Sequence, residues 1–600
     1  MKRVFCVAAV VAVSVLSGCF YARAVKARQG VMEFIQPDGT ALKVRLIGDE
    51  KAHCYMTADG YPLINDDDVF YYAMEGVDGR VCSSGIEARD VELRSAETHR
   101  LLAGVDAPAV TDAIFKSSVK LENGGRRKMA SPRNYGLFPG TDFPAKGEQK
   151  ALVLLVEFSN VEFFTEDAQV YFDRMLNSDG YNIGGANGSA RQYFIDNSSG
   201  VFAPEFDVYG PVMLSQSMSY YGANDDFGQD MRPHEMVIEA CSLLDSEIEF
   251  SEYDRDGDGV IDNVFVFYAG KGEATGGGAN SIWPHSSKIS DLTTGKVYEF
   301  DNVVLSSYAC TNEWVDNHTC GIGTFCHEFS HVLGLPDLYS VNYNPAVFSP
   351  GDYTLMDHGS YNNDEKTPAG YSIFERYALG WIEPQIISGS CEVRLNQISE
   401  NDGAIIPAYD EGEFFLLENR QQTGWDAYIP GHGMLVWHID YLDRIWKDNI
   451  VNDDASHQYV DLEEADAMPT EATRGGDSFP GDAGVTEIND DTTPSLRPWS
   501  GRKRKLAISD IAETSDGIVT FNVSVPGSGL TDVLETGGAR VRINGTSLRV
   551  ESPRPVAVMV VSASGVTLAA ETTPLMSVEL PSAGIYMVYV DGDVAKIAAR

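Results

Sequence analysis

The segment His327-Glu328-Phe329-Ser330-His331-Val332-Leu333-Gly334-Leu335-Pro336-Asp337 constrains this chain more than any other. Residues four apart share one face of a helix, so His327 and His331 can present two imidazoles to one point, with Glu328 beside them. Gly334 permits a sharp turn after that helix, and the turn would return Asp337 as a third ligand. Two imidazoles and a carboxylate suit zinc, and three protein ligands leave a fourth position open, as a catalytic ion requires. Glu328 is then the expected general base, taking a proton from the attacking water and returning it to a leaving amine. The bland alternative is a structural helix with solvated His and Glu.

Hydrophobic patterning predicts what holds that helix. Ala151–Phe158 reads ALVLLVEF, a fully buried strand, and Val264–Tyr268 reads VFVFY, another, ahead of a Gly-rich loop over 270–278. Helical periodicity covers Ala168–Leu176 and Pro233–Leu244, and the helix bearing the zinc motif should begin near Gly323. Strands and helices interleaved in this way predict an α+β catalytic core, or a more regular α/β one, with the active helix packed under a sheet.

At 600 residues the chain exceeds one hydrophobic core and should form several domains. Residues 1–24, with Lys2 and Arg3 before an apolar run from Val4 to Leu16, form an expected secretory signal peptide too short to span a bilayer. Ala22-Arg23-Ala24 fits a cleavage site, whereas Leu16-Ser17-Gly18-Cys19 fits a lipobox that would leave Cys19 lipidated. No later apolar run is long enough to span a membrane. Residues 25–128 alternate short apolar runs with turns and predict a β-rich domain. It ends in the basic stretch Gly124-Gly125-Arg126-Arg127-Lys128, which marks either a propeptide removed by proteolysis or an interdomain linker. Residues 129–526 are the expected catalytic domain. After Pro526-Gly527-Ser528-Gly529, residues 530–600 carry four strand patterns and predict a small β-sandwich.

Charge narrows the partners. Lys plus Arg number 45 against 88 Asp plus Glu, a formal charge of -43, which disfavours nucleic acid or an anionic membrane surface and suits calcium. In Asp254-Arg255-Asp256-Gly257-Asp258-Gly259-Val260-Ile261-Asp262, oxygen ligands stand at loop positions 1, 3, 5 and 9 with Gly at 6. This matches the start of an EF-hand loop, although position 12 is Phe265, so another segment would complete the shell; a solvated acidic turn is the alternative. Two of the nine cysteines lie in the leader, and the seven that remain leave at least one free thiol. Cys310 and Cys320 flank a short polar loop, where a disulfide would brace the approach to the zinc helix. His285, His358 and His438 are expected to be hydrogen-bonded structural residues, and Cys326 a buried, inert thiol.

Downstream lies Gly351-Asp352-Tyr353-Thr354-Leu355-Met356-Asp357-His358-Gly359-Ser360-Tyr361, a tight turn carrying Met356. The zinc motif with this turn resembles the metzincin clan of zinc peptidases. Asp337 in place of a third His, together with Ile282–His285, Tyr377–Trp381, Leu417–Arg420 and Gly433–Asp440, resembles the immune inhibitor A family of secreted bacterial metallopeptidases over most of Ala151–Val525. The resemblance implies zinc held by His327, His331 and Asp337, Glu328 as base, Met356 as turn methionine, and a tyrosine assisting the transition state, Tyr361 or else Tyr339. It also implies a zymogen. Latency could come from a Cys54 thiolate on the metal or from the propeptide chain lying in the cleft, through one of its Asp residues. Residues 584–592 resemble a type IX secretion sorting domain, the alternative being an accessory sandwich. The expected product is a secreted or cell-surface zinc endopeptidase acting on protein or peptide substrates, attached to the outer membrane by lipid or sorting domain if at all. The competing class is a surface binding protein or adhesin on a peptidase-like scaffold.

Overall fold

The computed structural model describes residues 23–600 except 67–68, 77–79, 119–142, 226–227, 290–295, 388, 408–411, 526–533, 537, 545, 563–565, 582–583, 592 and 600. Residues 1–22 of the expected signal peptide, the basic stretch 124–128 and the expected linker 526–529 lie outside the described residues.

The strand Gly147–Glu157 is buried on both faces from Ala151 to Val156, as a parallel strand covered by helices should be. It pairs in parallel with Phe202–Met213 on one side and Val264–Lys271 on the other, and the latter pairs in parallel with Ser307–Val315. His285–Lys288 then runs antiparallel to Ser307–Val315, and the two-residue strand Arg23–Ala24 adds antiparallel beyond it.

Period-2 alternation gives this sheet two apolar faces. Leu152, Leu154, Val156, Val264, Val266 and Tyr268 share a core with Met236, Val237, Ala240 and Leu244 of the helix Pro233–Leu244. From the other face, Phe265 and Phe267 meet Phe325 of the helix Gly323–Val332 at ring separations of 4.5 and 5.5 Å, and Phe206 meets Phe329 of the same helix at 5.4 Å. Phe325 and Phe329 stand four apart, so the flank carrying His327, Glu328 and His331 points away from the sheet. The helix begins in tight contact with the segment after Met356: a Cβ at Gly323 would lie 1.8 Å from the Ser360 carbonyl oxygen, so no larger residue fits.

Before this core, six antiparallel strands from Met32–Ile35 to Val81–Glu87 pair in sequence order. Two helices follow, Ala96–Leu102 and Ala107–Ser118, in a region expected to be strands and turns. Ser95 caps the first by accepting from Thr98 N, a local signal that a strand-based reading passes over.

The expected Cys310–Cys320 bridge does not form; both thiols are free and buried. The hairpin register Trp314↔Thr319 brings Cys320 level with Glu313, where its N–H meets the Glu313 carbonyl at 2.7 Å. Cys310 lies three residues further along the strand and turns its Sγ to His285 Nδ1 at 3.6 Å.

The chain divides into two compact units, one made of residues up to Trp381 with 422–429 and 441–460, the other of 382–421, 430–440 and 461–600. In the second, Glu413–Arg420 pairs antiparallel with Ala404–Pro407 and Gly433–Asp440 around a core that includes Phe415, Leu417, Met434, Val436 and Phe521. Its last seventy residues form antiparallel strands around Ser547–Ser562, which pairs with Thr567–Glu579 on one edge and with Ala539–Asn544 and then Gly584–Val590 on the other. Val541, Leu548, Val558 and Val588 fill that module's own core. Among the described residues no helix is long and apolar enough to cross a membrane.

Candidate metal centre

His327, Glu328 and His331 lie in the helix Gly323–Val332, all three buried. The chain reverses at Gly334, whose φ of 104° belongs to the left-handed region that glycine tolerates. That reversal carries Asp337 back, so that its Oδ1 lies 3.3 Å from His327 Nε2 and 3.2 Å from His331 Nε2.

The outer hydrogen bonds fix which atoms face inward. His327 Nδ1 lies 2.8 Å from the Leu355 carbonyl and His331 Nδ1 lies 2.8 Å from the Leu335 carbonyl. A carbonyl only accepts, so each Nδ1 carries the proton and each Nε2 presents a lone pair. Asp337 is held by Asn449, whose Nδ2 donates to Oδ2 at 2.6 Å while its Oδ1 accepts from Asp337 N at 3.0 Å. His327 Nε2 and Asp337 Oδ1 are buried without hydrogen-bond partners, a costly arrangement for polar atoms unless a cation joins them. Asp337 is itself buried, so its carboxylate needs a cationic partner. The donor set therefore fits a tetrahedral zinc site with three protein ligands.

Met356 is buried beside this cluster, its carbonyl accepting from Leu338 N at 2.9 Å, so the methionine turn and the ligand loop are tied together. Glu328 accepts from Val25 N through Oε1 at 2.8 Å, and its Oε2 has no partner. Burial, and after it the Asp337 charge, raise the Glu328 carboxyl well above the ordinary range, which makes it a stronger proton acceptor.

Val25 belongs to an N-terminal segment that crosses the centre. Arg23 and Ala24 pair with Ser286 and His285, Trp283 Nε1 donates to the Val25 carbonyl at 2.8 Å, and Tyr361 OH donates to the Lys26 carbonyl at 2.7 Å. Arg28 closes the run with ion pairs to Asp316 and Asp364 at 2.6 and 2.9 Å. Tyr361 thus reaches the N-terminal segment, and Tyr339, fully buried, lies under the Lys26 ammonium at 5.5 Å. Cys54, the candidate for an inhibitory thiolate, is a buried free thiol. Its Sγ donates to the Tyr55 carbonyl, it packs with Ala52 and Phe115, and burial pushes the thiol up to about 12. In the N-terminal region Asp49 and Glu50 are both buried and both raised, by burial first and by the Asp337 charge among other neighbours.

In the second expected site, Asp254, Asp256 and Asp262 bring one carboxylate oxygen each within 4.8 Å of one another. Asp258 turns its Oδ1 to Val260 N at 2.8 Å. Burial raises Asp262 to about 7, with Asp256 and Asp254 adding to it. His285 is structural: its ring bridges the Trp283 carbonyl at 2.6 Å and Tyr308 OH at 2.7 Å, and burial lowers it to about 4. Cys326 is buried, and that burial pushes its thiol far above the ordinary range. Sequence reasoning missed Asn449, which stands 112 positions from Asp337 in a loop with no motif to mark it.

Residues 142–382 match the family model of the immune inhibitor A peptidase M6 catalytic domain. The pre-pro-metalloprotease PrtV of Vibrio cholerae serotype O1 is 29% identical over 276 residues, covering 39% of this chain and 29% of its own. Immune inhibitor A of Bacillus thuringiensis subsp. alesti is 26% identical over 255 residues, covering 36% of each chain. The chain thus spans about a third of the length of the curated relatives it matches.

Proposed function

We propose that this chain is a secreted zinc endopeptidase, made as a zymogen, whose metzincin-like centre hydrolyses peptide bonds of protein substrates. The convergence of His327 Nε2, His331 Nε2 and Asp337 Oδ1 beside an otherwise unengaged Glu328 Oε2 carries this reading, and the peptidase match over 142–382 agrees with it.

Zinc held by His327, His331 and Asp337 would supply a Lewis acid toward water and toward the scissile carbonyl. Glu328 takes the proton from the attacking water and passes it to the leaving amine, a role suited to its raised proton affinity. Tyr361, whose hydroxyl already donates to a peptide carbonyl at Lys26, donates in the same way to a substrate carbonyl as negative charge develops there. Asn449 and the Leu355 and Leu335 carbonyls orient the three ligands.

In the zymogen the run from Val25 to Arg28 occupies the path a substrate would take, sealing Glu328 from water and from peptide. Removal of residues 25–128 by cleavage near Arg126 or Arg127 opens it. Asp254, Asp256, Asp258 and Asp262 hold a structural calcium ion, and the C-terminal strands form a sandwich that serves export or surface attachment.

Glu328→Ala tests the chemistry. Casein hydrolysis by the processed protein should fall by about 10²–10⁴-fold while its zinc content stays at the wild-type level. Activity near wild type would remove Glu328 from the reaction.

A further inference from the structure

The slot filled by the propeptide residue His53 is built by residues of the segment that matches the peptidase domain. The His53 ring stacks on the Trp283 indole at 4.9 Å and 29°, and a Cβ at Gly228 would lie 3.4 Å from its Cε1, so the imidazole is held between an indole and bare backbone. Glu273, only 1% exposed, closes the slot, with Oε1 3.3 Å from His53 Nε2. The same oxygen accepts from Tyr55 OH at 3.2 Å and from Asn224 Nδ2 at 3.1 Å. Asp230 adds a second carboxylate: its Oδ2 accepts from Trp283 N at 2.8 Å, and its Oδ1 is buried with no hydrogen-bond partner.

The slot adjoins the reaction centre. Trp283 Nε1 donates to the Val25 carbonyl and Val25 N donates to Glu328, so the backbone of one residue spans from the slot wall to the base. His53 and Tyr55 leave with the propeptide, and Glu273 then keeps only Asn224 among these partners. With His53 gone, Glu273 faces the vacated slot without its cation, and Asp230, whose carboxyl burial and then the Glu273 charge raise, adds a second acidic group that a positive side chain would hold in its charged form. The indole wall adds cation–π attraction for a flat guanidinium or an ammonium. In the zymogen Glu273 already acts this way on His53, whose pKa it raises against the effect of burial.

We propose that in the processed enzyme Glu273, Asp230 and Trp283 form a specificity subsite that takes a cationic side chain, arginine or lysine, of the peptide substrate. This rests on the peptidase reading above. The test is to incubate the full chain, cleaved near Arg126 or Arg127 by an added protease that is then inactivated, with a random peptide mixture and to map cleavage sites by mass spectrometry. Arg or Lys should be enriched about tenfold or more at one position close to the scissile bond, the discrimination a buried charge pair supports. Glu273→Gln should erase that enrichment, lowering kcat/KM for an Arg peptide about tenfold relative to its Leu counterpart while neutral peptides are still cut. Because Glu273 also anchors the propeptide and its variant can fail to fold, Asp230→Asn serves beside it, with a partial loss of the preference expected. Cleavage without basic enrichment at any position, or a preference unchanged in Glu273→Gln or in Asp230→Asn, overturns the subsite and leaves the peptidase reading intact. Failure of the wild type to cut any peptide in a chelator-sensitive manner overturns the peptidase reading itself, and the subsite with it.

Discussion

At the scale of single residues, the centre depends on groups that never touch the metal. Asn449 holds both the backbone and the carboxylate of Asp337, and its own backbone adopts a φ of 51° that asparagine tolerates better than most residues. Asn449→Ala should therefore weaken zinc affinity about 10–100-fold, measured by competition with a chromogenic chelator, while the fold stays intact by circular dichroism. An unchanged affinity would remove Asn449 from the site. A different residue sets pH dependence in the second unit. His438 sits between Glu413 at 2.8 Å and Glu463 at 3.3 Å and stacks on Phe415 and Trp499. Burial alone would lower it, but the two carboxylates outweigh that and raise it to about 9 from an ordinary 6.5. A raised folded-state pKa means that the stabilisation is complete below about 6.5 and is lost as pH climbs through about 9. Thermal unfolding should accordingly show Tm falling between those values, and His438→Gln should flatten the fall.

At the scale of elements, the sequence is legible where periodicity and burial agree. The strands near 151–158 and 264–268, the helices near 168–176 and 233–244 and the helix from Gly323 all appear, because each has an apolar face that only one partner satisfies. His327, His331 and Asp337 were legible because helix and turn put all three within one eleven-residue stretch. Asn449 was not, since its role is created by tertiary packing across more than a hundred residues. The helices Ala96–Leu102 and Ala107–Ser118 escaped notice because a capped short helix looks like a turn-rich region in composition. The acidic loop 254–262 belongs to this scale too, since it leads directly into the buried strand Val264–Lys271 of the central sheet. A calcium-selective chelator should lower the Tm of the protein, and Asp254→Ala combined with Asp262→Ala should reproduce that loss and make the chelator ineffective. An unchanged Tm in both would argue for a solvated acidic turn.

At the scale of the whole molecule, the proposed latency rests on the N-terminal segment that lies against the metal centre. Its backbone extends the central sheet through Arg23 and Ala24, its Val25 N–H engages the base, and its Arg28 is anchored by two carboxylates. None of these contacts follows a motif, because a chain lying in a cleft is recognised mainly through its backbone, which every sequence shares. Latency was foreseeable only as a class; in the structure Val25 N meets Glu328, whereas the Cys54 thiol is engaged by the Tyr55 carbonyl. The most direct test is the initial rate of casein hydrolysis by the purified chain before and after cleavage near Arg126–Arg127, with a zinc chelator and then with zinc restored. Activity should be negligible before cleavage, present after it, lost with chelator and recovered with zinc. Equal activity before and after cleavage would contradict latency, and chelator-insensitive hydrolysis would contradict the metal centre.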